Sequence, residues 1–170
     1  MSERKKTQST IAITGYSGLL GNRVTQRIRA MSGVHPIALG RAVPLDGMEH
    51  RFWDADCSLG DIVERLKGVD VLCHMAAYIP PNQSDPSEAQ KCVAVNALAT
   101  LTLARAAIDA GVPRIVFTSS ANIITKSSGV NRETDQPIMQ FKHAPYYLAS
   151  KVLAESYLAS LALHHDIDIQ

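Results

Sequence analysis

Short β-branched runs alternate along the chain with longer stretches whose apolar residues recur every three or four positions, the pattern of strands alternating with helices. Thr10–Thr14 (TIAIT) predicts a first strand. The glycine-containing stretch after it leads into a helix over Leu19–Ala30, where Leu20, Val24 and Ile28 fall four apart. Val34–Leu39 predicts a second strand ending at Gly40-Arg41; Pro44 and Gly47 break the pattern, and His50–Trp53 reads as a third. Ser58 with Asp61 three residues on forms a capping box for a helix over Leu59–Lys67 that stops at Gly68. Val69–Met75 is a fourth strand. Asp85-Pro86-Ser87-Glu88 then supplies a capping carboxylate, a proline at the first helical position and an early glutamate. The long helix it opens carries Cys92, Val95, Ala99, Leu103, Ala106 and Ala110 at spacings of three and four, and Gly111 with Pro113 ends it. Arg114–Thr118 (RIVFT) is a fifth strand, Ala121–His143 an aperiodic loop of the kind compact domains keep for function, and Tyr146–Leu163 a helix apolar on more than one face.

Strands and helices alternating at this pace imply right-handed crossovers and a parallel sheet covered on both sides, an α/β fold with strand order 3-2-1-4-5. A length of 170 residues suits one domain, here 1–170, with a sizeable core. Seventeen Lys plus Arg against sixteen Asp plus Glu leave a net charge of +1, so no electrostatic surplus exists to hold nucleic acid or an anionic membrane. Cys57, Cys73 and Cys92 are odd in number and lack CxxC spacing, which points to a reducing cytoplasm rather than a disulfide framework or thiolate zinc site. The polar start Met1–Ser9 lacks the apolar stretch of a signal peptide, and no run reaches the roughly 18 apolar residues expected of a membrane span. The histidines form no HExxH or other metal pattern, so no metal is expected.

Candidate chemistry starts at Thr14-Gly15-Tyr16-Ser17-Gly18-Leu19-Leu20-Gly21, glycines three apart between a strand and a helix. Glycine there lets the backbone turn sharply, lets a pyrophosphate approach its N–H groups and lets the helix pack close to the sheet. Gly15, Ser17, Gly18, Leu19 and Gly21 are therefore the candidate phosphate-binding residues. The end of the second strand selects between cofactors, since an acid there bonds a ribose 2′-OH and a cation accommodates a 2′-phosphate. Gly40-Arg41 offers no acid, which favours NADP over NAD, the competing reading being that Arg41 is a solvated surface charge. Asp54 and Asp56 follow the third strand, where a carboxylate accepts a hydrogen bond from an adenine amino group; either is equally a loop or helix-start residue, and Asp56 is preferred.

Tyr147 and Lys151, four apart on a helix, share one face. An ammonium beside a phenol favours phenolate, drawing its pKa from about 10 toward neutrality so that the phenol exchanges a proton with a carbinol. Ser120 at the end of the fifth strand is placed to donate to a carbonyl oxygen as charge develops on it. Asn96, polar on an apolar stripe, reads equally as a buried amide satisfied by backbone and as part of a catalytic relay.

With these motifs in order, the sequence resembles the extended short-chain dehydrogenase/reductase superfamily, the branch of NAD-dependent epimerases and dehydratases, over nearly the whole chain. The resemblance rests on TGxxGxxG at Thr14–Gly21, Asp70-Val-Leu-Cys-His-Met-Ala-Ala77, Val95-Asn96-Ala-Leu-Ala-Thr100, Val116-Phe-Thr-Ser-Ser120 and Tyr147-Leu-Ala-Ser-Lys151. It implies a Rossmann-type doubly wound sheet. It makes Tyr147 the catalytic acid/base, with Lys151 lowering its pKa and binding the nicotinamide ribose, Ser120 holding the substrate carbonyl and Asn96 supporting the proton relay. Ala76 and Ala77 would line the cofactor groove, and a homodimer would form through the long helix and the helix bearing Tyr147. The substrate implied is a small-molecule carbonyl or a sugar nucleotide. Two departures stand out. Asn122-Ile-Ile-Thr125 replaces the Val-Tyr-Gly of many sugar-nucleotide members, and extended members run to about twice this length. A sixth strand is expected to begin at Asp166–Gln170, and a C-terminal substrate domain is missing from the chain. The resulting expectation is an NAD(P)-dependent oxidoreductase or epimerase, the alternative being a non-catalytic dinucleotide-binding module or partner subunit.

Overall fold

In the computed structural model, residues 8–83, 85–124, 130–132, 134–138 and 140–170 are described. The polar start at Met1–Thr7, Thr125 and parts of the Ala121–His143 loop lie outside them. Six parallel strands form one sheet, β1 (Ser9–Thr14), β2 (Val34–Leu39), β3 (Glu49–Arg51), β4 (Val71–His74), β5 (Arg114–Phe117) and β6 (Asp168–Ile169). Their order is β3-β2-β1-β4-β5-β6, so the five-strand order expected from the sequence holds and a two-residue sixth strand joins at the far edge.

The two faces follow from the alternation of side chains along a strand. On β1, Ala12 belongs to a large cluster with Ile37, Leu39, Leu72, Leu103 and Ile115, covered by the helices α2 (Leu59–Leu66), α4 (Ala99–Asp109) and α5 (Pro145–His164). Its neighbour Ile13 points the other way, to Ala38, Tyr16, Met48 and Ile28 of helix α1 (Leu19–Arg29). The α2 start matches the capping box, Ser58 Oγ accepting the Asp61 N–H at 3.2 Å. Helix α3 (Ser87–Cys92) starts one residue later than expected, with Asp85 accepting the Ser87 N–H at 2.9 Å.

Between α3 and α4 the long helix widens into a π-helical turn over Val93–Leu98, the six residues that include Asn96. The helix Ser87–Asp109 is long and apolar enough by length and composition alone to cross a membrane, although no unbroken apolar run of that length occurs in it. Its apolar content instead meets the sheet and its neighbours: Leu103, Ala104, Ala106 and Ala107 are buried in the main core. The chain reverses its direction of strand addition between β1 and β4, whose carboxyl ends lie side by side, Thr14 opposite His74. Open α/β sheets bind ligands outside such a switch point.

Candidate functional site

At the end of β1, Gly15 turns through φ +68°, a left-handed conformation. A Cβ on Gly15 would meet the Ala76 nitrogen at 2.6 Å, so only glycine lets the turn lie against the strand next door. A Cβ on Gly21 would run into the Gly15 carbonyl, so glycine there lets helix α1 pack its first turn directly on the loop. Gly18 caps α1 without any side-chain hydrogen bond, and the first turn carries no acid. Ser17, Gly18 and Leu19 are exposed there, Leu19 at 83%. Uncapped helix N–H groups and the positive end of the macrodipole, presented by a loop free of side-chain obstruction, suit a phosphate. The residues present therefore fit a dinucleotide diphosphate.

Gly40 at the end of β2 is crowded by Tyr16, whose Cε1 would lie 3.0 Å from an added Cβ. The Tyr16 hydroxyl donates to the Ala42 carbonyl, tying down the segment that carries exposed Arg41. Asp54 is engaged within its own loop, its Oδ1 accepting the Asp56 N–H at 3.0 Å, while Asp56 stays exposed. That division leaves Asp56 the freer carboxylate of the two. Ala76 is half-buried against the glycine turn and donates its N–H to Thr14 Oγ1 at 3.1 Å; Ala77 is exposed.

Asn96 is buried and fully engaged. Its Oδ1 accepts the Tyr78 N–H at 2.6 Å, and its Nδ2 donates to the Tyr78 carbonyl at 2.8 Å and to Ser150 Oγ at 3.0 Å. Ser150 in turn donates to the Tyr147 carbonyl at 2.7 Å. One amide thus joins the loop after β4 to the first turns of α5, satisfying the buried polar group without a ligand. In this respect the satisfied-amide reading of Asn96 describes what its side chain does.

Helix α5 begins from Ala144, which adopts a left-handed conformation at φ 47° and accepts the Leu148 N–H at 3.0 Å. Tyr147 is half-buried on the first turn, and among the described residues its hydroxyl makes no hydrogen bond. Lys151 is buried at 2% exposure, with Nζ donating to the Thr118 carbonyl at 2.8 Å and standing 4.5 Å from the Phe117 ring centroid and 5.9 Å from that of Tyr147. Burial pulls the Lys151 ammonium down to about 8. The Tyr147 phenol moves the opposite way from the expectation: burial, then Cys92, raise it above its usual value. The physical reason is that Lys151 turns toward Thr118 and the phenol loses water without gaining a charged partner. Ser120 is half-buried, its Oγ accepting the Asn122 N–H at 3.4 Å at the start of a 3-10 turn, Ala121–Ile124, that packs against α5.

The structure therefore brings together Asn96, Ser150, Tyr147 and Lys151 on one side and Gly15, Gly21 and Ala76 on the other. No hydrogen bond joins Ser120 to Tyr147 among the described residues. Sequence reasoning missed Ser150, Tyr78, Thr100 and His74. His74 and Thr100 stand inside quoted motifs, but their spacing of 26 residues gives no sign that they touch.

The NAD dependent epimerase/dehydratase family profile matches residues 11–169. The chain is 30% identical over 147 residues to human sterol-4-alpha-carboxylate 3-dehydrogenase, decarboxylating, covering 84% of this chain and 37% of that protein. It is likewise 30% identical over 170 residues to UDP-glucose 4-epimerase of Mycolicibacterium smegmatis, covering 92% and 52%. Among solved structures, MoeE5 in complex with UDP-glucose and NAD superimposes with a TM-score of 0.80 at 26% identity, covering 95% of this chain and 52% of that one. UDP-N-acetylglucosamine 4-epimerase from Bacillus cereus gives 0.78 at 27%, covering 95% and 58%. The chain spans about half or less of the length of the curated relatives it matches. A match over nearly every described element, on top of a switch-point glycine turn and a Tyr147/Lys151 helix, means that the chain belongs to the NAD-dependent epimerase/dehydratase family.

Proposed function

We propose that this chain is the cofactor-binding part of an NADP(H)-dependent oxidoreductase or epimerase in which Tyr147 is the proton donor and acceptor at a carbonyl or carbinol. The observation that carries the reading is the cradle at β1, where the Cβ-free Gly15 and Gly21 and the uncapped start of α1 leave backbone N–H groups open to an anion. Gly15, Ser17, Gly18, Leu19 and Gly21 would hold the diphosphate, Ala76 and Ala77 the groove beside it, and Asp56, ahead of Asp54, the adenine amino group. Arg41, exposed beyond an acid-free strand end, would meet a 2′-phosphate, which is the reason for preferring NADP, with NAD accommodated less tightly. When bound, the cofactor supplies hydride donation or acceptance at its nicotinamide.

The remaining work falls to side chains of this chain. Tyr147 gives its phenolic proton to a substrate oxygen or takes one from it, and Ser120 Oγ donates to that oxygen as charge builds. Lys151, its ammonium near pKa 8 and now bonded to the Thr118 carbonyl, would bond a ribose hydroxyl of the cofactor and supply positive charge near the phenol. Asn96 holds the loop and helix that frame them. Relatives whose names refer to UDP-glucose and to a sterol carboxylate support a sugar nucleotide or another small carbonyl compound as substrate. Three unpaired cysteines suit a reducing, cytoplasmic setting. A homodimer through α3–α4 and α5 is part of the same reading, supported by Leu98, Tyr157 and Leu163 exposed on those helices.

A second reading, a dinucleotide-binding module without turnover of its own, draws on the Tyr147 phenol, which has no charged partner among the described residues and sits above its ordinary pKa. The deciding experiment is nicotinamide-dependent turnover of a panel of carbonyl compounds and UDP-sugars. Activity lost in Tyr147→Phe with cofactor affinity retained supports catalysis; tight cofactor binding with no turnover supports the module.

A further inference from the structure

His74 is fully buried at the end of β4, with the Trp53 ring edge-on at 5.7 Å and the Phe117 ring stacked at 5.7 Å. Its Nδ1 lies 2.7 Å from Thr14 Oγ1 and its Nε2 lies 2.8 Å from Thr100 Oγ1. Donor and acceptor accounting gives these contacts a direction. Thr14 Oγ1 already accepts two backbone N–H groups, from Met75 and Ala76, each at 3.1 Å. Its own proton must therefore go to Nδ1, which makes the ring a neutral imidazole with hydrogen on Nε2. Nε2–H then donates to Thr100 Oγ1, and the Thr100 hydroxyl donates to the Asn96 carbonyl at 2.8 Å, inside the π-helical turn. From Asn96 the side-chain amide continues to Ser150 and the Tyr147 carbonyl.

We propose that His74 is a positioning residue, held as the Nε2–H tautomer, that ties the glycine turn to the π-helical turn at Asn96 through the one-directional chain Thr14, His74, Thr100, Asn96. Every proton along it is assigned, so the chain has one direction and the two halves of the site share one register. A π-helical turn is a rare local geometry; the Thr100 hydroxyl back-bonds to the Asn96 carbonyl four residues earlier, and the imidazole of β4 fixes that hydroxyl from across the fold. Desolvation, and then the positive charge of Lys151, keep the imidazole neutral, its pKa pushed down to about 3. The chain of bonds stands on geometry alone, and its consequence for ligand binding rests on the dinucleotide reading above.

The test uses this chain labelled with nitrogen-15 at histidine. A long-range proton–nitrogen spectrum should show His74 with Nε2 protonated and Nδ1 bare at neutral pH; a protonated Nδ1 overturns the proposal, and wild-type protein suffices for this arm. In a second arm, NADPH is titrated into wild type, Thr100→Val and Thr100→Ser. Loss of one hydrogen bond should weaken binding about fivefold in the valine variant, with serine restoring it. Unchanged affinity in folded Thr100→Val overturns the link to the glycine turn. Wild type that binds neither NADPH nor NADH overturns the cofactor reading instead, and the nitrogen spectrum then decides the chain of bonds by itself.

Discussion

The glycine turn and the start of α5 are built to opposite standards. Around Gly15 the polar side chains are paired: Thr14 accepts two amides, His74 is bonded at both ring nitrogens and Ala76 presses on the turn without room for a methyl group. At α5, Tyr147 and Ser120 are half-buried, the phenol has no hydrogen-bond partner among the described residues and the helix starts from a left-handed alanine. The side chains at the turn are saturated from within the protein, while the described residues leave the Tyr147 hydroxyl with hydrogen-bonding capacity to spare, as the proposed proton exchange requires. Lys151 sits on the border, buried and bonded to the Thr118 carbonyl like the first set and yet on the same helix as Tyr147.

If the comparison is right, substitutions at the turn register in stability and substitutions at α5 register in chemistry. The largest effect concerns His74. Its folded pKa of about 3 lies below the ordinary 6.5, so the unfolded chain takes up the proton first as pH falls. Stability from this group is intact above about pH 6.5 and is lost progressively toward pH 3, at roughly 1–2 kcal/mol per pH unit. Urea midpoints between pH 7.5 and 4 should fall more steeply in wild type than in His74→Asn, and parallel slopes would remove the linkage. Next, Gly15→Ala adds a Cβ at a left-handed φ and 2.6 Å from the Ala76 nitrogen, and should cost about 3 kcal/mol by chemical denaturation. A loss as small as that of an exposed glycine would show that the turn relaxes. Arg41→Ala should weaken NADPH binding about tenfold and leave NADH unchanged in calorimetric titration, the loss of one charge-assisted contact to phosphate. Equal weakening of both would return Arg41 to the solvated surface. Smallest in stability is Tyr147→Phe, expected to move unfolding by about 0.5 kcal/mol or less, because among the described residues the phenol has no bonded partner to lose. A large drop there would place Tyr147 among the structural residues and erase the contrast.

Much of this architecture was legible because local signals agreed with the global fold. The apolar run of β2 ends at Leu39, where Gly40 follows, and the observed strand has the same bounds, Val34–Leu39. Ser58 announced α2 as its N-cap, its Oγ accepting the Asp61 N–H and donating to the Asp61 carboxylate, a contact only three residues long. The π-helical turn was not legible, since spacings of three and four in VAVNAL fit an α-helix equally well and its Asn96 side chain is held from outside by Tyr78 and Ser150. The pKa direction of Tyr147 escaped for a related reason. Helical spacing places Lys151 one turn away, but only packing shows that its Nζ is spent on Thr118. Pairwise chemistry within one element can be read from spacing, whereas desolvation and contacts across elements require the fold.

The central claim is that the glycine turn binds a nicotinamide dinucleotide. Direct titration of this chain with NADPH and NADH, followed by calorimetry and by the rise in melting temperature that any native-state ligand must produce, tests it most plainly. The account predicts saturable binding of both, tighter for NADPH, and loss of both in a folded Gly18→Asp variant that sets a carboxylate at the uncapped start of α1. A folded wild-type chain whose melting temperature neither dinucleotide moves at millimolar concentration would contradict it.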